Sequence, residues 1–193
     1  MEKLTGYRKI NTAVFISGTG SNLNSLIKFS KTRKSPISIN LIISNNPKAK
    51  GLKLGKMNKI EKKVFNFNKK HTVENEILSV LEDHEIKMIC LAGFMKILSR
   101  NFINKFKGKI LNIHPSLLPK YRGLNTHQRA LNNNEEYSGC TVHFVNSKLD
   151  SGKIILQKKV KILKNETKKS LAKKILVQEH KLYPKAISKV FDL

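Results

Sequence analysis

Alternating strand and helix patterns predict an α/β protein: a Rossmann-like, open, mostly parallel twisted sheet with helices on both faces. Apolar strand-like runs recur at residues 12–17, 37–44, 86–92 and 110–113, and each leads into a turn rich in Gly, Asn or Pro. Helical spacing lies between them, most clearly at Val73, Ile77, Val80 and Leu81 within 71–84. Two later runs, 139–145 and 154–162, read as strands and are expected to be antiparallel.

The first strand, 12–17, is followed by Gly18-Thr19-Gly20-Ser21-Asn22 and then by a helix starting near Leu23. A strand, a Gly-rich turn and a helix aim backbone N–H groups and a helix N-terminus at an anion. Ser21 and Asn22 are candidates to cap that helix. Leu23 stands where a dinucleotide fingerprint needs its third glycine, and Gly-Lys-Ser/Thr is absent, so a single phosphate is the expected ligand. Asn45-Asn46-Pro47 marks a turn, 48–59 a helix and 63–67 a short strand. The 86–92 strand leaves through Gly93-Phe94-Met95-Lys96-Ile97-Leu98-Ser99, an apolar exit that either packs in the core or forms a slot for a flat ligand. A short helix is expected at 125–131 and a long one at 171–191.

Composition narrows the function. The chain has 193 residues, enough for one sizeable core, and is expected to form one domain over residues 1–193. The N-terminal ten residues are polar and lack the apolar region of a signal peptide, and no apolar run is long enough to span a membrane. Two cysteines, Cys90 and Cys140, make no disulfide framework and point to a reducing cytoplasm. The net charge of +25 suggests an anionic partner. Its lysines are spread along the whole chain and there is no tryptophan, so AT-rich codon usage accounts for the charge better than a nucleic-acid surface does.

The central stretch is I-L-N-I-H-P-S-L-L-P-K-Y-R-G, residues 110–123. Pro115 keeps His114 extended at a strand end. Alternation puts Asn112 on the same face. In open α/β sheets, ligands bind beyond the carboxyl ends of the strands. Asp150, in the loop 146–152, supplies a carboxylate. A histidine paired with a carboxylate is acid–base equipment, and an asparagine amide can donate to a developing oxyanion. His143 reads as structural and Cys140 as inert. No metal-ligand spacing and no nucleophile elbow is present.

These residues closely resemble the phosphoribosylglycinamide formyltransferases, folate-dependent enzymes of purine synthesis. The matching runs are I-S-G-T-G-S-N-L at 16–23, L-A-G-F-M-K-I-L-S at 91–99 and L-N-I-H-P-S-L-L-P-K-Y at 111–121. Others are G-C-T-V-H-F-V at 139–145, L-D-S-G at 149–152 and Q-E-H-K-L-Y-P at 178–184. The resemblance implies the formyltransferase fold, 10-formyltetrahydrofolate as co-substrate and no metal. It implies Asn112, His114 and Asp150 as the catalytic set, with Asp150 keeping His114 protonated. Gly20, Ser21, Asn22 and Leu23 would hold the phosphate of glycinamide ribonucleotide, and Glu179 its ribose or glycinamide end. Met95, Lys96, Ile97, Leu98, Asn112, Asn146, Leu149 and Asp150 would bind the folate. The implied partners are small molecules, with neither membrane nor nucleic acid, and the chain would act in the cytoplasm as a monomer or homodimer.

The chain departs from the pattern at Lys96, where the family typically has Arg, and at Asn125, where a histidine is common. No arginine matches the one that can meet the folate tail, and Lys69 or Lys70 is the expected substitute. Alternative readings are another 10-formyltetrahydrofolate-dependent transferase or hydrolase, whose extra domains 193 residues leave no room for, or a basic nucleic-acid-binding module.

Overall fold

The computed structural model describes residues 9–191, with all side chains except those at 69–71. Seven strands form one sheet in the order β3-β2-β1-β4-β5-β6-β7. They are β1 (Ile10–Ile16), β2 (Ile37–Ser44), β3 (Glu61–Val64), β4 (Met88–Leu91), β5 (Lys109–His114), β6 (Tyr137–Phe144) and β7 (Ile154–Lys161). β1 to β5 pair in parallel, and β5–β6 and β6–β7 are antiparallel. The chain therefore runs outward from β1 to β3, then crosses back to β4, which places the topological switch point between β1 and β4.

Strand alternation divides the core in two. Val14, Ile16, Met88, Cys90, Leu111 and Ile113 face α1 (Ser21–Ser30) and α6 (Lys168–Val190), with α2 (Leu52–Asn58) on the same side. Ala13, Phe15, Ile89, Leu91 and Ile110 face α3 (Lys70–Asp83) and α4 (Arg100–Lys105). The short helix α5 (Thr126–Asn132) packs through buried Ala130. α4 was not legible in the sequence. Ser99 caps it by accepting from the Phe102 N–H at 3.0 Å, and Glu74 in turn accepts from the Ser99 N–H at 2.8 Å. β3 begins two residues earlier than expected, and all four of its residues are exposed. With no buried face, it has no apolar pattern to set its ends.

α6 contains Pro184. A proline has no N–H to give the carbonyl four residues back. That carbonyl, on His180, instead accepts the Ser25 hydroxyl of α1 at 2.7 Å. One residue earlier, Glu179 accepts from the Asn22 amide at 2.6 Å. The proline thus frees an acceptor that ties the helix behind the Gly-rich turn to α6. Tyr183, fully buried, donates its hydroxyl between the carbonyls of Leu91, at the end of β4, and Leu111, within β5, at 3.1 and 3.0 Å.

Ser25→Ala leaves the His180 carbonyl without its donor. The expected cost is about 1 kcal/mol of unfolding free energy, read from urea denaturation.

Candidate active site

The Gly-rich turn is shaped by two glycines. Gly20 has φ 76°, and a Cβ there would lie 2.6 Å from the Gly51 Cα. A Cβ on Gly51 would in turn lie 2.9 Å from the Gly20 Cα, and the Gly51 N–H bonds the Gly18 carbonyl at 3.0 Å. Gly51 escaped sequence reading because its partner is distant in the chain. The capping expectation is corrected: Gly20 itself is the N-cap of α1, and no side chain caps the helix. Ser21, Asn22 and Leu23 sit in the first turn, where backbone N–H groups have no intrahelical partner. The Leu23 side chain is buried in the core, so only its backbone can meet a ligand. Asn22 is held by Glu179, which is itself buried, and its Oδ1 has no partner. Burial raises the Glu179 carboxyl above its ordinary value, against the Asn22 hydrogen bond.

At the switch point, Ser17 stitches the exits of β1 and β4 together. Its N–H bonds the Gly93 carbonyl at 3.2 Å, and its hydroxyl accepts from the Met95 N–H at 2.7 Å. Met95, Lys96 and Ile97 are exposed, whereas Leu98 is buried in the core with Phe102 and Phe106. The β4 exit is therefore part slot and part packing. The end of β4 adjoins the centre of the site, since Leu91 pairs with Asn112.

The structure brings Asn112, His114 and Asp150 together. Asn112 and His114 share a face of β5, as alternation predicts. The loop 146–152 lays Asp150 over that face. Asn146 accepts from the Lys148 N–H and the Ser151 hydroxyl, both at 3.0 Å, so its side chain braces the loop. Asp150 adopts a left-handed φ of 45°. Its Oδ2 lies 3.4 Å from His114 Nδ1 and accepts the Gly123 N–H at 2.9 Å. Its Oδ1 accepts from the Asn112 amide at 3.4 Å. Leu149, half exposed, hangs over Gly123, where a Cβ would meet it at 3.7 Å.

His114 Nε2 faces the Tyr121 carbonyl at 2.9 Å. A carbonyl can only accept, so Nε2 carries the hydrogen and Nδ1 of the neutral ring is bare. Burial pushes the imidazole below its ordinary value. The Tyr121 carbonyl and the Asp150 charge pull it upward without compensating, and His143 and Arg129 add to the depression. Desolvation thus works against the expectation that Asp150 keeps His114 protonated: burial outweighs the carboxylate and leaves the ring below its ordinary value. Burial also raises Asp150, but the neighbouring His143, the Gly123 N–H and His114 together more than offset it, leaving the carboxyl below its ordinary value.

The sequence marks His143 only as structural, and the fold shows what it braces. It pairs directly with Asn112 across β5 and β6. Its Nδ1 donates to the Phe144 carbonyl at 2.8 Å, which leaves Nε2 to accept from the Asn112 amide at 3.2 Å. His143 thereby fixes which way the Asn112 amide points. Only the strand register reveals this.

Asn125 is the N-cap of α5 at φ 57°, a left-handed position that asparagine tolerates better than most residues. The Lys69 and Lys70 side chains lie outside the described residues. Burial raises the thiols of Cys90 and Cys140 to about 12, so neither is a nucleophile at neutral pH. Among the described residues, no group of His, Cys, Asp or Glu has metal-holding geometry, and no helix is long and apolar enough to cross a membrane.

A buried histidine and an asparagine amide joined by one carboxylate are the equipment of an acid–base group-transfer enzyme. The chain belongs to the formyl transferase family, whose shared pattern matches residues 10–187. It is 38% identical over 182 residues to the phosphoribosylglycinamide formyltransferase of Escherichia coli, covering 93% of this chain and 86% of that protein. It is 41% identical over 186 residues to the human trifunctional purine biosynthetic protein adenosine-3, covering 95% of this chain but only 18% of that much longer protein. The solved phosphoribosylglycinamide formyltransferase of Brucella melitensis superposes with a TM-score of 0.89 at 41% identity, covering 95% of this chain and 96% of that one.

Glu179 carries a stability cost. An acid whose pKa is raised on folding binds its proton more tightly in the native state, so stability falls as pH rises from about 4.5 through the higher folded value. Glu179→Gln keeps the acceptor for Asn22 and removes the charge. Denaturation at pH 7 is expected to show the variant more stable than the parent, with the advantage gone below about pH 4.

Proposed function

We propose that this chain transfers the formyl group of 10-formyltetrahydrofolate to the glycinamide amine of 5'-phosphoribosylglycinamide, a step of purine biosynthesis. The observation that carries the reading is the convergence of Asn112, His114 and Asp150 on one face of β5, in a chain of the formyl transferase family. The uncapped first turn of α1, at Gly20, Ser21, Asn22 and Leu23, supports a phosphate site, since its N–H groups and the helix dipole both favour an anion. In this reading Glu179, buried beside it against Asn22, meets the ribose or glycinamide end. The exposed apolar side chains of Met95, Ile97 and Leu149, together with Lys96, offer walls for a flat pterin-like ligand, with Asn146 bracing the loop below.

In this reading the substrate amine attacks the formyl carbon. The carbonyl oxygen becomes an oxyanion, which the Asn112 amide receives, and the His114 ring can donate to it only once Nδ1 has taken the amine proton. The attacking nitrogen gives up a proton, and bare His114 Nδ1 is the base that takes it. Asp150, 3.4 Å away, stabilises the imidazolium so formed. Collapse breaks the bond from the formyl carbon to the folate nitrogen, and the proton passes from His114 to that nitrogen. Proton and charge then balance without a metal. The same reading places the chain in the cytoplasm, acting on small molecules as a monomer or homodimer within residues 1–193.

The test mixes the purified chain with glycinamide ribonucleotide and 10-formyltetrahydrofolate, beside His114→Ala. Formylated product from the parent alone is expected; no product from the parent refutes the reading. Asp150→Asn removes a charge that raises the His114 pKa. It is expected to lower kcat by about 100- to 10,000-fold, and to move the acid limb of the kcat/KM profile to lower pH. An acid limb that stays in place would remove Asp150 from its role.

A further inference from the structure

We propose that Glu135 is a positioning residue for the transfer reaction: it grips the Tyr121 hydroxyl so that the Tyr121 backbone carbonyl stays aimed at His114 Nε2. This deepens the formyl-transfer reading and rests on it for its kinetic consequences.

Tyr121 needs holding. Its φ is 57°, a left-handed conformation that an aromatic residue rarely adopts. In it, the carbonyl points at His114 and the side chain points elsewhere. The hydroxyl donates to Glu135 Oε1 at 2.7 Å. The Asn133 amide donates to the same hydroxyl at 2.9 Å, and the Arg129 guanidinium lies 5.1 Å over the ring. Glu135 also holds the preceding residue, accepting from Lys120 Nζ at 2.7 and 3.0 Å. From inside the turn, the Ser116 hydroxyl donates to the Lys120 carbonyl at 2.7 Å. One carboxylate therefore anchors both side chains of the Lys120–Tyr121 pair.

Glu135 does this from outside the cleft. It lines a separate surface hollow of about 390 Å³ with Leu117, Lys120, Tyr121, Tyr137 and Lys159. Its side-chain hydrogen bonds go to Lys120 and Tyr121, and neither Asn112 nor Asp150 is among its partners. Its influence on the chemistry therefore has to pass through the Tyr121 backbone.

What the carbonyl does is select a tautomer. With the Nε2 hydrogen committed to Tyr121, Nδ1 is bare and can accept the amine proton. If Tyr121 relaxes to a right-handed conformation, the carbonyl turns away. The hydrogen is then free to move to Nδ1, where Asp150 Oδ2 would accept it. The base is thereby occupied before the reaction starts. A partner that fixes one ring nitrogen commonly decides what the other can do.

The variants are Glu135→Ala, Tyr121→Phe and Glu135→Gln, compared by steady-state kinetics and by ¹⁵N NMR of the His114 ring. Glu135→Ala and Tyr121→Phe are expected to lower kcat by about 10- to 100-fold, the scale of a misplaced catalytic group. KM for both substrates should stay within about twofold, because no binding contact is removed. Glu135→Gln, whose amide oxygen still accepts the phenol, should recover most of kcat. The NMR spectrum should show His114 protonated at Nε2 in the parent and in Glu135→Gln, and a mixture of tautomers in the other two. Tyr121→Phe loses a single oxygen and keeps the test open should Glu135→Ala fold poorly. A His114 ring that stays protonated at Nε2 in both Glu135→Ala and Tyr121→Phe overturns the proposal, whatever happens to melting temperature. The NMR arm needs no substrate, so a parent that makes no formylated product would refute the formyl-transfer reading and leave this outcome legible.

Discussion

The site depends on how one buried imidazole is hydrogen-bonded. His114 has little contact with water, its Nε2 is spoken for by the Tyr121 carbonyl, and its Nδ1 looks at the Asp150 carboxylate. Burial favours the neutral ring and the carboxylate favours the charged one, and at rest burial prevails. This balance suits a proton carrier. A ring already charged has no vacancy for the amine proton, and a ring without the carboxylate has nothing to hold that proton once taken. Both halves are needed, and they come from different parts of the chain.

The sheet explains how those parts meet. β1, β4 and β5 run in parallel and deliver the Gly-rich turn, the apolar exit and His114 to neighbouring strand ends. At β5 the sheet changes sense. β6 runs back along it and sets His143 opposite Asn112, and the loop after β6 folds Asp150 across the same face. On the other side of the sheet, Pro184 releases a carbonyl for Ser25 and Asn22 reaches Glu179, so α6 holds the turn in place from behind.

Much of this was legible in the sequence, and the reasons are local. The strand ending at His114-Pro115 and the Gly-rich turn after β1 announce themselves through proline and glycine chemistry within a few residues. Alternation alone put Asn112 beside His114. What stayed hidden depends on contacts between distant residues. His143 looks like any strand histidine until the β5–β6 register is known. Gly51 looks like a helix-weakening residue until Gly20 is seen packed against it. A sequence displays the carboxylate that favours a charged His114 but not the burial that opposes it. Leu98 shared an apolar run with Met95 and Ile97, yet only the fold separates the one in the core from the two that face solvent.

The most direct measurement is a structure of the chain with glycinamide ribonucleotide and an unreactive folate analogue bound together. The account predicts the phosphate on the backbone N–H groups of Ser21, Asn22 and Leu23. It predicts the position of the formyl oxygen within hydrogen-bond reach of the Asn112 amide and the His114 ring, with the Tyr121 carbonyl still on Nε2. A phosphate bound elsewhere, or a folate that leaves Asn112 and His114 untouched, would contradict it.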